Sequence, residues 1–169
     1  MIATPHASAE HPVSAEHHAR LVPHVNQLAA TGELIGTATG ADLRPHLDEA
    51  CAFLTGLLLP HMEAAERALY PELERLMQNR HSMTPMRREH QAIRALITDL
   101  DGRRRRLGDG PVPTADAVAL RRALFQLHAL LKIHLAEEQL YADLVEHGLS
   151  AEAEASLAEA MRHEGVSQG

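Results

Sequence analysis

The chain has no tryptophan, a single cysteine, and only two phenylalanines and two tyrosines. The lone thiol, Cys51, excludes an intrachain disulfide, and without a Cys-x-x-Cys pair neither a thiolate zinc site nor a redox motif is expected. A reducing cytoplasm suits this cysteine usage, and Cys51, set in an apolar stretch, reads as a small buried hydrophobe. β-Branched residues are sparse and no strand-length stretch alternates apolar with polar, so strands are not expected. No apolar run approaches the roughly 20 residues that span a bilayer, and Met1–Glu10 lacks the basic-then-apolar order of a signal peptide. The expectation is a soluble, unexported protein with no membrane partner. Positive charge is also short, with 16 basic against 23 acidic residues and a net charge of −7, which argues against general nucleic-acid binding. Arg103–Arg106 reads as a solvated helix end.

What is present is helical. Ala, Leu, Glu and Arg dominate, and 169 residues suit one hydrophobic core. Punctuation divides the chain into four long helices and a short fifth. Pro12 precedes the first, read to about Ala38 with a weak spot at Thr31-Gly32. Asp42 is read as the cap of the second, with Pro45 in its first turn and a close at Asn79–Ser82. Thr84-Pro85 opens the third, ending at Asp101-Gly102 or in the arginine run, and Leu107–Pro113 reads as a linker. Thr114 is read as the cap of the fourth, which runs to His147-Gly148, and Ser150 starts a last helix to about Arg162. Long helices on short loops predict an all-α, up-down-up-down four-helix bundle with a short extra C-terminal helix. The organisation is a flexible N-terminus (1–10), the bundle (11–148), and the C-terminal helix and tail (149–169).

Thirteen histidines exceed ordinary usage, and several of them repeat. His90 is followed by Ile93, Ile97 and Leu100 at +3, +7 and +10, and His18 by Leu21, Val25 and Leu28 at the same offsets. His18 therefore shares the apolar face, whereas His17, with Arg20 at +3, points outward or flanks. His24 is the reserve candidate on that helix. His18 precedes His61 by 43 residues and His90 precedes His134 by 44, so two helical hairpins look like copies, bringing four histidines toward one core level. His134 and Glu138, at i and i+4, share a helix face with about 6 Å of rise between them, so both can reach one ion. Ionised carboxylates in a core cost several kcal/mol each without a cation. Imidazole and carboxylate without thiolate suit iron, manganese or zinc.

Taken together, Glu89-His90-Gln91-Ala92-Ile93, His134-x-x-x-Glu138 and Leu59-Pro60-His61…Glu66-Arg67-Ala68-Leu69-Tyr70-Pro71 resemble the bacterial hemerythrin-like (HHE cation-binding) proteins, over roughly Glu16 to His147. The resemblance implies a non-haem iron centre of two ions, held by His18, His61, His90, His134 and Glu138. It also implies an open position for a small diatomic or peroxide ligand such as dioxygen, nitric oxide or hydrogen peroxide. Sensing, storage or detoxification would follow; the alternatives are a peroxide-decomposing enzyme and a metal-dependent sensor or interaction module.

One position departs from the family. The carboxylate expected four residues after His61 is Ala65, and the nearest, Glu66, lies about 140° around an ideal helix. Glu66 becomes a ligand only if Pro60 distorts the helix or a bulge shifts its register. An asymmetric pair, a single ion, another divalent metal or a site without metal affinity all stay open at this point. Tyr70 and Tyr141 read first as core, and second as hydroxyls near the metal.

Overall fold

The computed structural model describes residues 13–148, with side chains described for residues 18–145. The expectations for the N-terminus and for a helix from Ser150 lie outside the described residues. Helix α1 (Val13–Leu34) contains Pro23, whose missing N–H leaves the carbonyl of Ala19 to solvent on an exposed face. The helix ends at Leu34, four residues short of Ala38, because Gly36 takes a left-handed conformation (φ +108°) and turns the chain.

Helix α2 (Gly40–Phe53) begins with a capping box, which corrects the reading of Asp42 as the cap. Thr39 is the cap: its Oγ1 accepts from the Asp42 amide while the Asp42 carboxylate accepts from the Thr39 amide. The chain continues with helical dihedrals through α3 (Leu59–Ala64) and α4 (Tyr70–Leu76), interrupted by two wider π-helical turns, Leu54–Leu58 and Ala65–Leu69. Each π turn precedes a proline. The Leu59 amide bonds back five residues to Leu54 O, and the Tyr70 amide to Ala65 O, immediately before Pro60 and Pro71. A proline ring clashes with the carbonyl four residues behind it, and widening the preceding turn relieves that clash. The rod stops at Leu76 rather than at Asn79–Ser82, since Gln78 adopts φ +50°.

Helix α5 (Thr84–Arg106) runs into the arginine cluster, where Arg103, Arg104 and Arg105 pair with Asp99, Asp101 and Asp48. Helix α6 (Thr114–Gly148) has Thr114 as its first residue, and the Pro113 carbonyl before it accepts from the Ala117 amide. The segment Leu107–Pro113, read as a linker, is pinned instead. Its carbonyls at Gly110 and Asp109 accept the first two amides of α2, from Gly40 (2.9 Å) and Ala41 (3.1 Å). Arg44 adds bonds to Leu107 O and to the Asp109 carboxylate. A Cβ on Gly40 would lie 1.8 Å from Gly108 O, so the approach requires glycine there.

The described residues are all helical apart from turns, loops and one isolated bridge, Thr39 to Pro111. Helix α6 packs along α1 and α5, and α2 packs on both of those. The apolar core is in two parts. The larger includes Leu21, Val25, Leu28, Leu58, Met62, Ile93, Leu131 and Leu135; the smaller is Ala65, Leu69, Tyr70, Leu73, Met83, Met86 and Val145. Between them lies a buried layer of His18, His61, His90, His134 and Glu138. Among the described residues no helix is long and apolar enough to cross a membrane.

Candidate metal centre

Four helical stretches each send one histidine into the polar layer: α1 His18, α3 His61, α5 His90 and α6 His134. Each follows from the apolar register of its helix. Met86, Ile93, Ile97 and Leu100 are buried on the same stripe as His90, and Leu21, Val25 and Leu28 on that of His18. Glu138, one turn after His134, is fully buried at the centre.

The carboxylate of Glu138 joins two halves. Its Oε2 lies 3.1 Å from His18 Nε2 and 2.7 Å from His61 Nε2. On the other side His90 Nε2 and His134 Nε2 are 3.0 Å apart. Between His90 and Glu138 stands the hydroxyl of Tyr70, 3.1 Å from His90 Nε2 and donating to Glu138 Oε1 at 2.9 Å. Two groups could hold an ion, His18–His61–Glu138 and His90–His134–Glu138, each with its ligand atoms within 4.8 Å of one another and all residues buried.

The outer ring nitrogens set which lone pairs face inward. His90 Nδ1 donates to Glu66 Oε1 (2.6 Å) and His134 Nδ1 to Glu89 Oε2 (3.0 Å). His18 Nδ1 donates to Gln139 Oε1 (2.9 Å), whose orientation is fixed by its own amide donating to Asp143. With their Nδ1 protons on Glu66 and Glu89, His90 and His134 turn Nε2 lone pairs toward each other. Lone pair against lone pair at 3 Å is repulsive, and a cation between them removes the repulsion. The donor set therefore fits a metal.

Electrostatics reinforce this. Burial pushes the Glu138 carboxyl upward, but the imidazoles of His61, His18 and His134 outweigh it and hold the group ionised, well below the usual carboxylate range. Burial, with the neighbouring His134, lowers His90 to about 4 against the pull of Glu66 and Glu138, so its ring is neutral at pH 7. Burial, and then Glu138, push the Tyr70 hydroxyl far upward, keeping it protonated beside the carboxylate in the absence of a cation.

Glu66, a candidate ligand in the sequence, joins neither group. Its carboxylate sits on the outer nitrogen of His90 and on Arg94 Nη1 (2.9 Å), with Arg94 and His90 keeping it ionised despite the upward push of burial. Five residues after His61, Glu66 lies off the face that His61 shares with the donors. His24 stacks on Phe53, with ring centroids 4.9 Å apart, and His17 lies outside the described side chains. Tyr70, read first as core and second as a hydroxyl near the metal, stands at the centre, while Glu89 and Gln139 on the outer nitrogens escape a reading by spacing. The signal for Tyr70 was Pro71, which marks the distorted turn behind it; Glu89 and Gln139 are chain neighbours of the candidate ligands His90 and Glu138, but each serves a histidine on another helix.

A buried layer of imidazoles around one shared carboxylate, inside an all-helical domain, defines a helical protein with a candidate metal site. A model of the hemerythrin HHE cation binding domain matches residues 14–140, and the chain belongs to that family. No curated protein and no solved structure matches it.

Proposed function

We propose that the protein is a non-haem iron protein with two ions, one in each half, bridged by Glu138, in an up-down-up-down bundle. The observation that supports it most is the pair of buried triads sharing one carboxylate, with the outer nitrogens of His18, His90 and His134 on acceptors. His18 and His61 would hold one ion, His90 and His134 the other. Iron held there supplies an open coordination position for a small oxidant such as dioxygen, nitric oxide or peroxide. The chain's own residues keep the site dry, orient the imidazoles and supply the single central charge. Sensing, storage or detoxification of that oxidant follows from reversible binding, and the lack of paired thiols fits a cytoplasmic setting.

The test is metal analysis of protein made under iron-replete conditions, together with the optical spectrum under air and after nitric oxide. Close to two irons per chain, with a spectrum that responds to nitric oxide, is the expected result; iron-free protein that takes up none on reconstitution would overturn it. The buried hydroxyl of Tyr70 at the site favours a second reading, a peroxide-decomposing enzyme. Steady oxygen evolution from hydrogen peroxide, dependent on bound iron, distinguishes that reading from a binding protein.

A further inference from the structure

The two halves do not have the same donors. Each has two imidazoles and one oxygen of Glu138, but beside His90 stands a third oxygen, Tyr70 Oη. Two donors each about 2.1 Å from one cation, and at right angles to each other, are about 3 Å apart. Tyr70 Oη meets that spacing with both His90 Nε2 (3.1 Å) and Glu138 Oε1 (2.9 Å), so it stands where an adjacent donor of the same ion would stand. The ring has no freedom to leave. It is fully buried, stacked on His90 at 5.5 Å between centroids, and faced by the Arg87 guanidinium at 5.4 Å.

The backbone explains how a residue nine positions after His61 arrives there. In a regular helix it would lie about half a turn away from His61; the π turn Ala65–Leu69 winds back roughly a quarter turn of that. Glu66 is bonded to Arg94 outside the donor ring, and Ala65 offers no oxygen. The half is thus short of one anionic donor, at the place where a phenol has been inserted.

We propose, resting on the iron reading above, that Tyr70 is a metal ligand: its phenolate oxygen completes the His90–His134 half in place of the absent carboxylate at residue 65. On ferric iron binding the phenol O–H bond breaks heterolytically, the oxygen lone pair forms the bond to the metal, and the proton leaves to solvent. No electron is transferred. The protein without metal keeps the proton on Tyr70, shared with Glu138.

The chain lends itself to the test, having no tryptophan and only Tyr70 and Tyr141 as phenols. Metal-free protein is loaded with ferrous iron, oxidised in air, and its iron content, visible spectrum and resonance Raman spectrum are recorded. A phenolate-to-iron charge-transfer band, with tyrosine ring modes enhanced on excitation within it, is expected in the wild type and in Tyr141→Phe. Both signals disappear in Tyr70→Phe, which loses a ring oxygen and no volume and keeps iron in the His18–His61 half. Iron-loaded wild type without phenolate modes overturns the proposal whether or not the variant folds, as does a band that survives in Tyr70→Phe. Failure of the wild type to take up iron overturns the iron reading together with this one.

Discussion

The two halves of the centre match in their inner atoms and differ in what stands behind them. Around His90 and His134 the outer nitrogens meet carboxylates, Glu66 and Glu89, and a tyrosine hydroxyl reaches inward. Around His18 the outer partner is the neutral amide of Gln139. A carboxylate behind an imidazole raises its basicity and fixes its orientation, which strengthens the bond to a metal. The two hairpins thus present the same candidate donors with unequal charge around them, and the half with more negative charge is the one suited to the more highly charged ion.

The largest expected effect removes what the halves share. Glu138→Ala deletes the bridging carboxylate and leaves four imidazoles without a counter-charge, so iron retained after dialysis should fall from both halves nearly to zero. Retention at the wild-type ratio would show that the halves are independent.

A second effect belongs to the His90 half of the metal-free protein. Its ring stays neutral down to about pH 4, whereas in the unfolded chain it protonates near 6.5. Between these values the unfolded state binds the extra proton, so stability falls as pH falls through that window. The loss amounts to at most about 3 kcal/mol. Chemical denaturation from pH 7 to pH 4 should show this slope, and His90→Gln should flatten it.

Next come the outer partners. Glu66→Gln and Glu89→Gln should each weaken one iron by about 10- to 100-fold, read by chelator competition, and Gln139→Ala should cost less. Equal losses from all three would erase the distinction between the halves. The smallest effect is a control far from both: Thr39→Ala removes the capping box of α2 and should lower stability by about 1 kcal/mol. The iron ratio should not change.

Much of this arrangement was legible in the sequence wherever a helix keeps its period. Leu21, Val25 and Leu28 fix the face of α1 over three turns, and His18 lies on that face, buried. The same register places His90 above Ile93 and Ile97. Where the period fails, legibility fails with it. Glu66 lies within a π turn and Tyr70 directly follows it, and an extra residue per turn cannot be read from spacing that assumes 3.6. Pro60 and Pro71 were visible, but either a kink or a widened turn would have accommodated them. Thr39 and Asp42 form one reciprocal cap in which either residue alone resembles the start, so the boundary moved by three positions. The outer partners Glu89 and Gln139 serve histidines on other helices, a relation with no one-dimensional signature.

The stitch between α2 and the 107–113 segment bears on how this chain tolerates change. Position 40 looks like an ordinary first residue of a helix, where most side chains are admissible, yet the carbonyl of Gly108 occupies the space of the first carbon any of them would add. Drift at that position is closed, while the exposed helix faces elsewhere remain open to it. For anyone grafting a tag or a second domain onto the protein, the segment that looks most like a spacer is therefore the least suitable place to cut. An insertion between Asp109 and Gly110 would separate the two carbonyls that accept the first amides of α2, and so unfasten the start of the rod that carries His61 and Tyr70.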